Sequence, residues 1–296
     1  MIFSFIYDHE HEYTVKKMCK VMGVSRQGYI KWRHRRQNPN TEKMAAHEEI
    51  TQKIAQSYHL SGGTYGSPRV HEDLLEWGYS ISQKTVAILM NKMGLSAIPP
   101  TKYMVTTDSN HTEHIYPNLV NREFNVTDPN QVWVADITYI WTNEGWLYLA
   151  SIMDLFSRKI IGWSLDTHMR KELTIEALEI ALGSREIKGQ LTHHSDRGVQ
   201  YCSNVYVDLL EQKQIQISMS HKGDPYDNAC IESFHATIKK ELIYRTRFKT
   251  RSEARRAISH YIVSFYNERR RHSTLGYLSP NNFERKSSLL SSEKIS

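Results

Sequence analysis

Three carboxylates sit where a soluble chain would not ordinarily place them. Asp136 lies at the centre of Val132-Trp-Val-Ala-Asp-Ile-Thr-Tyr-Ile140, a β-branched and aromatic run that reads as a buried strand. An ionised side chain on such a strand is costly unless something pairs with it, and no basic residue stands nearby in sequence. Asp196 ends a second extended run in His193-His-Ser-Asp-Arg-Gly198, where the glycine lets the backbone turn sharply. Glu232 falls near the start of a helix whose buried face is Ile231, Phe234, Ile238 and Leu242, which puts Asn228, Glu232, His235 and Lys239 along its border. Carboxylates from three elements that converge without His or Cys ligands select hard cations, Mg²⁺ or Mn²⁺. Two such ions about 3.5–4 Å apart serve an in-line phosphoryl displacement, the chemistry of nucleic-acid strands.

The elements that must position them follow from pattern. Residues 1–95 read as short helices. Thr14 to Val21 is one, Gly23 its stop, and Ser25 the N-cap of a second running to about Arg36, with Arg26, Lys31, Arg33, Arg35 and Arg36 on it, in the manner of a helix-turn-helix. Ser67-Pro68 opens another helix that Gly78 closes, and Ser82 caps the next, which ends at Gly94. Periodicity fails from Ser96, and Pro99, Pro100, Pro117 and Pro129 mark a linker, bounded at 96–128. Strands at Val132–Ile140, Trp146–Phe156 and Lys159–Leu165 form a meander, followed by helix, strand, helix and strand over Lys171–Leu182, Gln190–Ser195, Val205–Gln214 and Ile215–Ser220. That order predicts a mixed sheet with helices on its faces, an α/β core over 129–286 completed by helices at about Asn228–Leu242 and Ser252–Phe265. The Ser-rich end, 287–296, reads as disordered.

Composition sets the bounds. With 296 residues, 40% hydrophobic and 24% charged, the chain has the material for two packed domains and none of the bias of a fibrous or unfolded protein. The apolar opening, Met1–Tyr7, is far too short to span a bilayer, so a cytoplasmic, nucleoid-associated protein is expected. Cys19, Cys202 and Cys230 are scattered, which argues against a disulfide framework or a cysteine-rich zinc site. Charge is polarised: residues 1–120 carry 14 Lys+Arg against 11 Asp+Glu, 121–230 carry 10 against 15, and 231–296 carry 14 against 6. An acidic middle suits cations, and basic ends attract a polyanion.

Spacing alone does not decide, because with 11 Asp and 21 Glu in the chain roughly one Asp–Glu pair arises by chance at any chosen spacing. The flanking words decide. Val134-Ala-Asp-Ile-Thr-Tyr139, His194-Ser-Asp-Arg-Gly-Val-Gln-Tyr201, Asp227-Asn-Ala-Cys-Ile-Glu-Ser-Phe234 and Tyr266-Asn267 through His272-Ser-Thr-Leu-Gly-Tyr-Leu-Ser-Pro280 resemble the OrfB product of IS-three family insertion-sequence transposases. The resemblance reaches from about Tyr13 to Arg285 and includes the 35 residues between Asp196 and Glu232 and the lysine seven positions on, Lys239.

The resemblance implies an RNase H-like core of the DDE transposase and retroviral integrase superfamily. It assigns a catalytic, metal-binding triad to Asp136, Asp196 and Glu232, with Mg²⁺ or Mn²⁺, two ions, as cofactor, and DNA contact to Lys239. The reaction implied is 3′-end cleavage and strand transfer. The partners implied are element ends and target DNA, further copies of the chain, and an upstream OrfA product fused by frameshifting. Arg269, Arg270 and Arg271 lie inside a matching string and a basic segment, so phosphate contact is expected there. Asn228 and His194 are candidates to support the triad from behind, and Asp154 and Asp166 read as turn or sheet-edge residues. Two alternatives stay open: a purely hydrolytic nuclease of the same fold, and an inactive, transposase-derived DNA-binding regulator.

Overall fold

The structure is a computed structural model that describes residues 1–38, 41–97, 114–221 and 225–293. It divides into two compact units, Met1–Leu60 with Val70–Leu95, and Ser61–Arg69 with Ser96–Ser296.

The first unit is helical: α1 (Ile2–Asp8), α2 (Val15–Val21), α3 (Arg26–Gln37), α4 (Thr41–Leu60), α5 (Ser67–Glu76, its first turn in the second unit) and α6 (Gln83–Lys92). The expected punctuation holds. Ser25 Oγ accepts from Gly28 N, Ser82 Oγ accepts from Thr85 N, and Gly23, Gly78 and Gly94 take positive φ after their helices. Ile6, Met18, Cys19 and Tyr29 form a small core among α1, α2 and α3. Two elements exceed the sequence reading. α1 comes from the apolar opening, and α4 is a 20-residue helix built from good helix formers with little buried periodicity, only Ile54 and Ser57 being buried.

The second unit is a five-stranded sheet in the order β3-β2-β1-β4-β5, from β1 (Val132–Thr142), β2 (Gly145–Asp154), β3 (Lys159–Asp166), β4 (Thr192–Ser195) and β5 (Gln216–Met219). The first three strands are antiparallel neighbours, and β4 and β5 run parallel to β1. This is the mixed RNase H-like sheet. On one face Trp133, Ala135, Ala150 and Ile152 pack with α7 (Lys171–Ser184) and α8 (Asn204–Gln212). A Cβ on Gly162 would stand 2.2 Å from Ala177 O, so only glycine lets α7 lie this close to β3. On the other face Val134, Ile140, Leu147 and Leu149 meet α9 (Ala229–Glu241), α10 (Arg251–His260) and the π-helical turn Tyr261–Asn267 that continues it.

Three expectations need correction. The linker is no loose tether where it is described, 114–130. Pro117 O accepts from Met219 N, Leu119 N donates to Ser218 Oγ, and Val120 is buried, so this stretch straps the β5 edge. Residues 98–113, with Pro99 and Pro100, lie outside the described residues. The tail expected to be disordered, 287–296, is helical through Glu293 in α11 (Pro280–Glu293), and 294–296 lie outside the described residues. That helix starts on a proline and is anchored by Phe283 against Phe156 and by Glu284 bonded to Arg185, Lys159 and Ser157, partners too distant in sequence to be anticipated. Finally, Ser61–Arg69, expected within the helical region 1–95, belongs to the second unit. Tyr65 OH donates to Arg269 O and accepts from Arg271 N, and Arg69 Nε donates to Arg271 O.

Candidate active site

The register of β1 and β4 places two of the carboxylates. Their last pair is Ala135 with Ser195, so Asp136 and Asp196 are the next residues on two adjacent parallel strands. Side chains at matching positions share a face, and this face is the one α9 covers. Glu232 lies in the first turn of α9. That helix is anchored at its start by Asn228, whose Nδ2 donates to Ala135 O at 3.1 Å, and along its length by Ile231, Phe234 and Ile238.

The two aspartates are held locally. Asp136 Oδ1 accepts from Ile137 N at 2.8 Å, and Asp196 Oδ1 accepts from Gly198 N at 2.9 Å. A Cβ on Gly198 would come within 2.9 Å of that same oxygen, so the glycine read as a turn residue also makes room for the carboxylate. Burial, then the charge of Asp136, pushes Asp196 up to about 7. Burial and the same neighbour push Glu232 up to about 7. The three groups sense one another electrostatically, yet among the described residues no three His, Cys, Asp or Glu side chains are gathered closely enough to hold an ion as they stand. The donor chemistry fits a hard divalent cation, and Asn228 Oδ1, buried without a hydrogen-bond partner beside Ala135, adds a further oxygen acceptor in the same neighbourhood.

His235 is the residue that sequence reasoning set on the helix border without a role. Its Nδ1 donates to Asp136 Oδ2 at 3.2 Å, and its Nε2 shares a hydrogen bond with Ser151 Oγ at 2.7 Å. Ser151 is the β2 partner of Asp136 in register, so the imidazole closes a bridge over one rung of the ladder. The available signal was the helical spacing from Glu232 to His235, which sets both on one side of α9.

The other expected residues separate. Lys239 is buried at the edge of the site with Nζ 4.4 Å from the Tyr139 ring centroid, and burial lowers its pKa against the pull of Asp136. His194 does not support the triad. Both its ring nitrogens are taken, by Ser218 and Ser220, and burial holds its pKa down at about 4. His193 is likewise occupied, by Tyr206. Asp154 is the last residue of β2, fully buried, accepting from Asn130 N and Phe156 N.

Among the three arginines, Arg270 is a correction. Its guanidinium is buried and donates to both oxygens of Glu241 at 2.9 and 2.8 Å, which leaves it unable to meet a phosphate. Arg271 is half-buried and donates to Tyr277 O, whereas Arg269 is exposed. The Tyr266-Asn267 word is structural too: Asn267 bonds both backbone groups of Ile160 and ties the π-helical turn to β3.

Family models match along the chain: an integrase core domain over residues 126–225 and again over 213–280, and an HTH-like domain over 46–103. The chain is similar to the transposase InsF of insertion sequence IS3A from Escherichia coli K12, 39% identical over 97% of this chain and 99% of that protein. It is also similar to a 31 kDa protein of insertion element IS600 from Shigella sonnei, 43% identical over 91% and 98%. Among solved structures, the HTLV-2 integrase catalytic core in complex with magnesium aligns with 53% of this chain and 97% of its own at 17% identity and a TM-score of 0.41. The catalytic domain of Mos1 mariner transposase aligns with 54% and 76% at 10% identity, also with a TM-score of 0.41.

Proposed function

The chain belongs to the IS-three family of insertion-sequence transposases and is a DDE-type polynucleotidyl transferase, and from that premise we propose that Asp136, Asp196 and Glu232 are its catalytic triad. The observation that carries this is the register: Asp136 within β1 and Asp196 just past the end of the adjacent parallel β4 stand at the same level, and α9 brings Glu232 to their face. The family's chemistry uses divalent metal, and the three carboxylates would hold Mg²⁺ or Mn²⁺, two ions, which when bound lower the barrier by drawing charge from the phosphoryl oxygens.

The chain's own residues supply placement. The middle of β1 fixes Asp136 and the end of β4 fixes Asp196, the His235–Ser151 bridge fixes the Asp136 carboxylate, and Gly198 fixes Asp196. Lys239 stands beside Asp136 on the open edge of β1, where it meets the strand being cut. Positioning and charge complementarity carry phosphoryl transfer of this kind. The outcome is 3′-end cleavage followed by strand transfer into target DNA. The helices of the first unit contact DNA, further copies of the chain pair two element ends, and an upstream OrfA product joins as fusion or partner to read the end sequence.

The test uses duplexes copied from the ends of the encoding element, with the chain alone and fused to the upstream frame, in Mg²⁺. Cleaved 3′ ends together with strands joined to a second duplex are expected, with stronger end selection by the fusion. Cleavage with no joining would reduce the activity to a nuclease, and equal, strong selection by the short chain would remove the need for OrfA.

A further inference from the structure

β4 follows β1 only from Val132 to Ala135, whereas β2 accompanies it to Thr142, so the distal half of the β1–β2 hairpin runs on past the triad. That free length is aromatic. Trp141 and Trp146 are register partners, their rings edge to face at 4.8 Å and 74°, and they are 57% and 43% exposed. Tyr139 stands edge-on to Trp146 at 5.2 Å and carries the Lys239 ammonium over its ring. Two indoles side by side in solvent are costly, and such patches mark a binding surface.

What flanks them says which. Between Leu242 and Ser252 the chain bears Arg245, Arg247, Lys249 and Arg251 and no acid. The segment is fastened to the hairpin: Asn143 N donates to Phe248 O at 3.1 Å, Arg251 N donates to Glu144 Oε2 at 2.7 Å, and Arg251 Nε donates to Trp146 O at 3.2 Å. Exposed Tyr244 adds a further ring. A protein interface depletes charge from its centre. Here a basic segment is fastened to the hairpin that carries the indoles, the combination that takes nucleic-acid backbone and base together.

We infer that Trp141 and Trp146 form a stacking platform for an unpaired nucleobase of the DNA strand being processed, with Arg245, Arg247, Lys249 and Arg251 beside its phosphates. Trp141 lies five positions along β1 from Asp136, about 17 Å, and strand alternation sets it on the opposite face of the sheet, so the processed strand reaches the indoles around the edge of β1 that β4 leaves uncovered, where Lys239 of α9 lies over the Tyr139 ring. The interior of double-stranded DNA cannot use the platform, because each interior base is covered on both faces by its neighbours. The site therefore recognises frayed or single-stranded ends. It deepens the triad reading and rests on it only for that distance.

The test measures binding by the full chain without divalent ions, to a short duplex carrying a single-stranded extension with 2-aminopurine in it and to the same duplex made blunt. Wild type is expected to quench the 2-aminopurine. Trp141→Ala and Trp146→Ala should each weaken binding of the extended duplex roughly tenfold, the loss of one stacked base, with blunt binding unchanged, and Trp141→Phe and Trp146→Phe should recover most of it. Equal losses on both duplexes would overturn the inference, as would unchanged DNA affinity with an altered mass by light scattering, which would make the patch a contact between copies. If the alanine variants fail to fold by circular dichroism, wild type decides, and unquenched 2-aminopurine at every position of the extension overturns the idea. Glu232→Gln should quench like wild type, so an error in the triad assignment, seen as continued cleavage by that variant, stays separate from an error here.

Discussion

Helix α9 carries two buried or half-buried glutamates nine positions apart, and they live in opposite electrostatic worlds. For Glu241, burial alone would raise the pKa, but the bidentate Arg270 guanidinium and the Tyr261 hydroxyl overcome it and hold the carboxyl below its usual range. For Glu232, burial and the neighbouring Asp136 act in the same direction and push it up to about 7. One helix therefore keeps a charge that the fold has neutralised and a charge that it has set against like charges. A satisfied buried ion pair is a structural joint, and a group of carboxylates that disfavour one another is a site prepared for a cation.

The largest effect should come from breaking the joint. Arg270→Met leaves Glu241 as a buried carboxylate and should cost about 3–5 kcal/mol of stability, read by denaturant unfolding. Because the folded-state pKa of Glu241 is depressed, the pair's contribution is full above the ordinary value of 4.5 and lost as pH falls through the folded value. The gap between wild type and variant should therefore narrow below pH 4.5. A gap of under about 1 kcal/mol at neutral pH would mean that the pair behaves as an exposed one and that Arg270 is available for DNA after all.

Next comes the site. Asp136→Asn, Asp196→Asn or Glu232→Gln should slow Mg²⁺-dependent nicking by roughly two or more orders of magnitude, several kcal/mol of lost charge stabilisation. In chelator the same variants should unfold no earlier than wild type, since each removes repulsion. That contrast is the sharpest form of the comparison: Glu241→Gln should lose stability, Glu232→Gln should lose chemistry. A Glu232→Gln protein that nicks near the wild-type rate, or unfolds as readily as Glu241→Gln, breaks it.

A smaller effect is expected at the bridge. His235→Leu frees the Asp136 carboxylate to rotate and should lower the turnover number about tenfold, one misplaced ligand's worth of positioning. It should also weaken Mn²⁺ binding, followed by electron paramagnetic resonance of the free ion. His235→Asn places an amide nitrogen where Nδ1 stands and should recover most of both. Equal losses in the two variants would assign His235 to packing alone.

Much of this architecture is legible in the chain because its signals are local. The strands β1 to β3 announce themselves by β-branched runs and turn residues, and α2, α3 and α6 by their caps. The proposed triad is legible because an aspartate in the middle of Val132–Ile140 has no local reason to be there and because the words around Asp136, Asp196 and Glu232 resemble one family. What stayed hidden depends on partners far along the chain. Arg270 reads as part of a charge run until Glu241, 29 residues earlier, is folded onto it. Glu284 meets Arg185, 99 residues earlier, only in the fold, and the linker reads as loose until β5 offers its edge. His194 reads as a support for the triad beside Asp196 until two serines on and after β5 claim its nitrogens.

The smallest expected effect is at Arg269, and it refines what the arginine run does. The three neighbours have different burdens: Arg270 closes the ion pair, Arg271 donates from its side chain to Tyr277 O and from its backbone N to the Tyr65 hydroxyl, and Arg269 is exposed. Neutralising all three together would mix loss of fold with loss of binding, so a fall in affinity would not identify phosphate contact. Arg269→Ala alone removes at most one phosphate neutralisation. The slope of log K against log salt should become shallower by about one at most, with affinity at moderate salt reduced only a few-fold and equally across sequences. Arg271→Ala should act on the fold instead, lowering the unfolding midpoint through the lost Tyr277 contact and leaving the salt slope as it is. An unchanged slope for Arg269→Ala would confine the whole run to structure and shift DNA contact in this basic segment to Arg245, Arg247, Lys249 and Arg251. A changed slope for Arg271→Ala would show a guanidinium able to leave Tyr277 for a phosphate, and would set the boundary between joint and DNA surface at Arg270 alone.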